Sequence, residues 1–148
     1  MAKVCLVFKR ETVGDEGVSV VHFDNDKLSV SEAAKSVPEG ASYEVVEVDS
    51  LPLRDEYRNA WGLENKEVKH DMVKAREIHK EKLRALRAPK LAALDVEYQK
   101  ADEADDKVKK KEIADEKQTL RDVTKEPLID AATSVEKLKA SVPSELLS

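Results

Sequence analysis

Glycine disappears from this chain after position 62, and with it goes any loop that would cradle a phosphate on repeated glycines. The four glycines (Gly14, Gly17, Gly40, Gly62) form neither a G-x-G-x-x-G nor a G-x-x-x-x-G-K arrangement. Cys5 is the lone cysteine, so no internal disulfide forms and no four-ligand Cys or Cys/His zinc site is available. A reducing compartment is the natural expectation. Aromatic residues make up only 4% of the 148 residues, too few for a thick core. Long apolar runs are missing as well. Val4–Phe8 is too short for a signal-peptide core, and nothing approaches the ~20 residues of a membrane span.

Charge is plentiful: 39% of the residues are Asp, Glu, Lys or Arg, with a net charge of -5. Residues 1–62 hold 7 basic and 12 acidic residues, while residues 63–148 hold 19 of each. An acidic head repels phosphate backbones and a neutral tail of mixed sign attracts them weakly, so a nucleic-acid partner is disfavoured. The same division appears in side-chain type, because five of the six aromatics lie at or before Trp61. The expected organisation is a head over 1–62 and a charged helical tail over 63–148.

In the head, Val4–Phe8 and Val18–Phe23 are β-rich runs separated by the Gly14/Gly17 region, as in a hairpin. Ser29 and Glu32 have capping-box spacing and announce a short helix over about 30–36, stopped near Pro38-Glu39-Gly40. A third β-rich run spans Tyr43–Val48. Leu53, Tyr57 and Trp61 recur at i, i+4 and i+8, which predicts a connector helix entered through Pro52 and ended by Gly62.

The tail predicts helices over about 71–88, 90–103, 107–124 and 134–141. Met72, Ala75, Ile78, Leu83 and Leu86 give a narrow apolar stripe, and Pro89 should kink or restart the helix. Leu91, Leu94, Tyr98 and Ala101 are spaced 3, 4 and 3, as in a coiled-coil seam. The acidic stretch Ala101–Asp106 interrupts the pattern. Segments 66–90, 91–106 and 107–125 carry net charges of +5, -5 and +3, which favours an antiparallel helical hairpin over one continuous helix. Thr133 and Glu136 offer a second capping box. The fold class is therefore α+β, a small ββαβ head followed by a long helical hairpin or bundle.

Candidate chemistry is sparse. His70 and His79 are nine positions apart, about half a turn out of phase and ~13 Å apart on one helix, so they would not share a metal there; solvated helix positions are the expectation for both. Cys5 in an apolar strand reads as a small buried hydrophobe. Lys107–Lys111 is a basic cluster, but acidic residues flank it and no aromatic is interleaved, so a solvated helix start is favoured. No catalytic residue, metal ligand or cofactor is expected, and the chain reads as non-enzymatic. Candidate partner-binding residues are Tyr57 and Trp61, either core coupling or a hot spot, and Leu91, Leu94 and Tyr98, either intramolecular packing or a seam with another chain.

The stretch Asp49-Ser50-Leu51-Pro52-Leu53-Arg54-Asp55-Glu56-Tyr57-Arg58-Asn59-Ala60-Trp61 resembles a group of small bacteriophage and prophage proteins. These carry an aspartate, Leu-Pro, a basic and aromatic pair, and Ala-Trp. Met72–His79, running on through Leu83–Pro89 to Leu94-Asp95, continues the resemblance. Leu120-Arg121-Asp122-Val123-Thr124 is similar to the end of tail-fibre assembly chaperones. Together these stretches fall within roughly residues 40–142. The resemblance implies a role in tail or tail-fibre assembly, with a tail-fibre or other tail or virion protein as partner, in host cytoplasm during assembly and retained in the virion in some cases. Homo-oligomers, a virion decoration or neck component, and a nucleic-acid-binding regulator are the other readings; no membrane partner is expected.

Overall fold

A strand buried on both faces must be apolar without alternation, and Val4-Cys5-Leu6-Val7-Phe8 meets that requirement. In the computed structural model, which describes residues 2–11 and 17–146, β1 (Val4–Lys9) lies between β2 (Val18–Val21) and β3 (Glu44–Glu47). Both pairings are antiparallel, with Val7 opposite Val20 and Cys5 opposite Val46. The Arg10 N–H donates to the Gly17 carbonyl at 2.8 Å, closing the β1–β2 hairpin. The turn expected around Gly14 lies outside the described residues. Asn25 tethers the start of β1: its Oδ1 accepts from the Val4 N–H at 2.8 Å and its Nδ2 donates to the Val4 carbonyl at 3.1 Å.

Helix α1 (Val30–Ala33) opens with the expected capping box. Ser29 Oγ accepts from the Glu32 N–H, and the Glu32 carboxylate accepts from the Ser29 N–H. A 3-10 turn, Ala34–Ser36, ends it. Strand, strand, helix and strand thus follow in the order read from the sequence, and the protein is α+β.

The connector helix expected over Leu53–Trp61 does not form. A single 3-10 turn, Arg58–Ala60, leads into β4 (Trp61–Glu64), which pairs with β5 (Glu67–His70). Trp61, Leu63, Val68 and His70 share one face of this hairpin, and Trp61 and Val68 join Cys5, Val7, Val18 and Val46 in the core. Burying an apolar side chain of this size stabilises by roughly 1.5–3 kcal/mol, more than a short exposed helix would gain from propensity. Asn65 and Lys66 make the turn, with φ of 51° and 63°, the left-handed pair that a two-residue hairpin turn requires.

The chain divides into two compact units, Met1–Ala75 and Arg76–Ser148. The division falls beyond Gly62, the position expected from composition, because the 61–70 hairpin belongs to the head's core. Asp71 caps α2 (Met72–Glu103), accepting from the Val73 N–H at 3.0 Å.

The helix does not restart at Pro89 as two separate helices over 71–88 and 90–103 would require, since α2 runs through it. Pro89 and Ala85 are both exposed, so the carbonyl that the ring leaves without its N–H partner is open to solvent. The turn at Ala104–Asp106 includes Asp105 at φ 51°. It leads to α3 (Lys107–Asp122), capped by Asp106 Oδ1 accepting from the Lys109 N–H at 3.0 Å. Two short helices follow, α4 (Pro127–Ala131) and α5 (Val135–Ala140). The α5 cap is Ser134, accepting from the Lys137 N–H, one residue later than the expected Thr133 box.

Candidate protein-contact site

Helices α2 and α3 run antiparallel. Asp102 pairs with Lys110, Asp95 with Lys117, and the Arg87 guanidinium donates to the Arg121 carbonyl at 2.8 Å. Sequence separation grows steadily along that series, as a hairpin demands. Asp95 and Asp102 are one heptad apart on α2, Lys110 and Lys117 one heptad apart on α3, so both ion pairs lie on a single flank. The Asp102 hydrogen bond raises the Lys110 pKa, as does the carboxylate's charge. Lys117 also stands 5.5 Å over the Tyr98 ring. Arg87 satisfies carbonyls in the last turn of α3, where a cation is favoured.

The opposite flank is open. Ala93 stands about 200° from Asp95 around the helix, and there Lys90, Ala93, Leu94, Glu116, Thr119 and Leu120 line a groove of about 430 Å³. Its floor is apolar, with Leu120 buried and Leu94 half-buried. Its rims carry one cation, Lys90, and one anion, Glu116. Few large side chains are buried where residues 87–103 of α2 face α3: Ile113 and Leu120 are, with the small Ala101, whereas Val96 is 51% and Val108 72% exposed. One layer of two helices leaves one side of each apolar stripe without cover.

The five candidate residues therefore separate. Tyr57 and Trp61 are 0% and 3% exposed and belong to the head's core, so they offer almost no surface. Burial, with Glu56 and Asp55 nearby, pushes the Tyr57 hydroxyl up to about 12. Leu91 and Leu94 are half-buried in the hairpin, and Tyr98 stands at its edge, 36% exposed. Leu53, expected on the same face as Tyr57 and Trp61, is 74% exposed.

Two histidines also depart from expectation. His70 sits in β5, and His79 is fully buried, its Nε2 3.1 Å from Ser141 Oγ. Because Ser141 Oγ donates to the Leu138 carbonyl at 2.7 Å, its lone pairs face the ring and His79 Nε2 is the donor. Arg76 donates to the Ala132 carbonyl at 2.9 Å and Lys80 lies 3.7 Å from Asp130, so α4 and α5 lie along this part of α2. An i, i+3 repeat in the sequence (Arg76, His79) facing the apolar positions of 129–138 was the available signal. Among the described residues no three His, Cys, Asp or Glu side chains converge as metal ligands, and no helix is long and apolar enough to cross a membrane. Burial raises the pKa of Cys5, which disfavours a thiolate.

Comparison with protein-family models, curated proteins and solved structures gave no match.

Proposed function

We propose that this chain is a non-enzymatic protein that acts through protein–protein contacts in bacteriophage tail or tail-fibre assembly, with the α2–α3 hairpin as its contact element. The observation carrying the contact role is the open, apolar-floored groove between Leu94 and Leu120, flanked by single charges of opposite sign. A groove of this kind suits an amphipathic helix laid along it, whose apolar side chains cover Ala93, Leu94 and Leu120. The phage setting is supported by the resemblance of residues 49–61, 72–95 and 120–124 to phage and prophage tail-associated proteins. Head and hairpin have separate roles in this reading: the acidic head folds around its own aromatic core, and the hairpin presents the docking surface.

Co-expression with the tail and tail-fibre proteins of the same genome, followed by affinity isolation, tests the proposal. We expect a stoichiometric complex with one of them that Ala93→Glu weakens at least tenfold, Ala93 being an exposed wall residue whose change leaves the fold intact. Isolation of the chain alone, or a complex indifferent to Ala93→Glu, contradicts it.

A further inference from the structure

Buried polar atoms nearly always find a hydrogen-bond partner, because leaving one without costs its full desolvation. In the head three neighbouring side chains depart from this together: Arg58 Nη1, Trp61 Nε1 and His70 Nε2 are buried and meet no partner. Trp61 and His70 face each other across the β4–β5 hairpin, and the Arg58 guanidinium lies 4.1 Å above the Trp61 ring.

The second nitrogen of Arg58 adds to the pattern. Nη2 donates to the Val18 carbonyl at 2.9 Å, and Arg10 Nη1 donates to that same oxygen at 2.9 Å. Arg10 Nη1 also donates to Ser19 Oγ at 3.4 Å, whereas among the described residues no carboxylate pairs with Arg58. Burial lowers the Arg58 pKa, and Arg10 and Arg54 lower it further. A half-buried cation held among cations is costly unless something anionic joins it.

Arg10, Val18 and His70 also line a cleft of about 870 Å³, with Lys9, Lys69 and Lys74 as its other cations. Of the three carboxylates among its described lining residues, Asp71 is already engaged by the Val73 and Lys74 N–H groups, while Glu11 and Glu64 are exposed. Gly17 contributes by omission. A Cβ there would collide with Arg10 Nη2, so glycine allows the guanidinium to lie against the backbone.

The geometry points to an oxyanion site behind the Val18 and His70 wall of this cleft, where Arg58 Nη1 and His70 Nε2 donate to a phosphate- or carboxylate-sized group and Arg10 adds its charge. Arg58 keeps Nη2 on Val18 and offers Nη1, and the planar forks suit a ligand with two or more acceptor oxygens. The site belongs to the head alone and is independent of the hairpin groove.

Titration of the full chain with sodium phosphate, and separately with sodium acetate, at constant ionic strength tests it by NMR. Trp61 is the sole tryptophan, so its indole N–H gives a single resolved reporter beside Arg58. We expect saturable shifts of that signal, at least tenfold weaker in affinity in Arg58→Met. Gly17→Ala, which displaces only the flexible end of Arg10, is expected to weaken binding similarly while leaving the rest of the spectrum folded. Saturation by phosphate supports a phosphoryl ligand, and saturation by acetate alone supports a carboxylate. Linear, unsaturable shifts with both anions, or saturation unchanged in Gly17→Ala and Arg58→Met, overturns the site.

Discussion

Lys110 Nζ on α3 lies 2.9 Å from Asp102 Oδ1 on α2, bridging the two helices just before their connecting turn. Yet the pair is a poor candidate for what holds them together, since Asp102 is mostly exposed and such pairs are screened by solvent. Ile113, 2% exposed on the same helix, is the better one. We expect Ile113→Ala to lower unfolding free energy by about 2–5 kcal/mol, and Lys110→Ala to be far milder. Urea denaturation followed by circular dichroism checks the ranking, which equal effects would refute.

Pro89 sits exposed inside a continuous helix. Replacing it by alanine supplies the missing N–H to the Ala85 carbonyl and relieves the ring's crowding. Because proline is disfavoured by ~3 kcal/mol in a helix interior, Pro89→Ala should raise stability by about 1–3 kcal/mol. A lower denaturation midpoint for Pro89→Ala would mean that the helix is shaped around the proline rather than in spite of it.

The β4–β5 turn places Lys66 at φ 63°, where a side chain with a Cβ is strained by roughly 1–2 kcal/mol. Lys66→Gly should therefore stabilise the head by up to about 1 kcal/mol, after the entropy that glycine adds to the unfolded chain. Lys66→Val, β-branched, should do the opposite. Thermal melts read through Trp61 fluorescence separate the two.

Most of the head's first half was legible because each element announces itself locally. The Ser29/Glu32 box and the unbroken apolar run of β1 mean the same thing in almost any surroundings. Trp61-Gly62-Leu63-Glu64-Asn65-Lys66-Glu67-Val68-Lys69-His70 does not. Leu53, Tyr57 and Trp61 match a helical period by coincidence, and Gly62 at a strand position imitates a helix stop. The hairpin was hidden because its turn is Asn-Lys rather than Asn-Gly, and because its decisive contacts, with Cys5, Val7 and Val18, are more than forty residues away. In the tail, alternating segment charge correctly favoured folding back, as the Asp95–Lys117 and Asp102–Lys110 pairs attest. The two aromatic candidates, Tyr57 and Trp61, were read without the tertiary contacts that bury them. The groove could not be read either, since it exists only once Leu94 and Leu120 are side by side.

Tyr57 is fully buried with its hydroxyl pushed up to about 12, and burial also raises the Cys5 thiol. Both groups lose a proton more readily in the unfolded chain, so their contribution to stability is complete below the unfolded values of 9.0 for Cys5 and 10.0 for Tyr57. It is lost as pH rises through the folded values. We expect head stability, followed by Trp61 fluorescence, to fall between pH 9 and about 12, and Tyr57→Phe to remove the part of the fall above pH 10. Stability that holds flat across that interval would contradict the buried placement.

Hydrogen–deuterium exchange on the chain, alone and in complex with the tail or tail-fibre protein isolated with it, tests the contact role most directly. Protection gained at residues 90–94 of α2 and 116–120 of α3, the two walls of the groove, is the expected result. Protection confined to residues 2–70, with both walls exchanging as freely as in the lone chain, would contradict the hairpin as the docking surface.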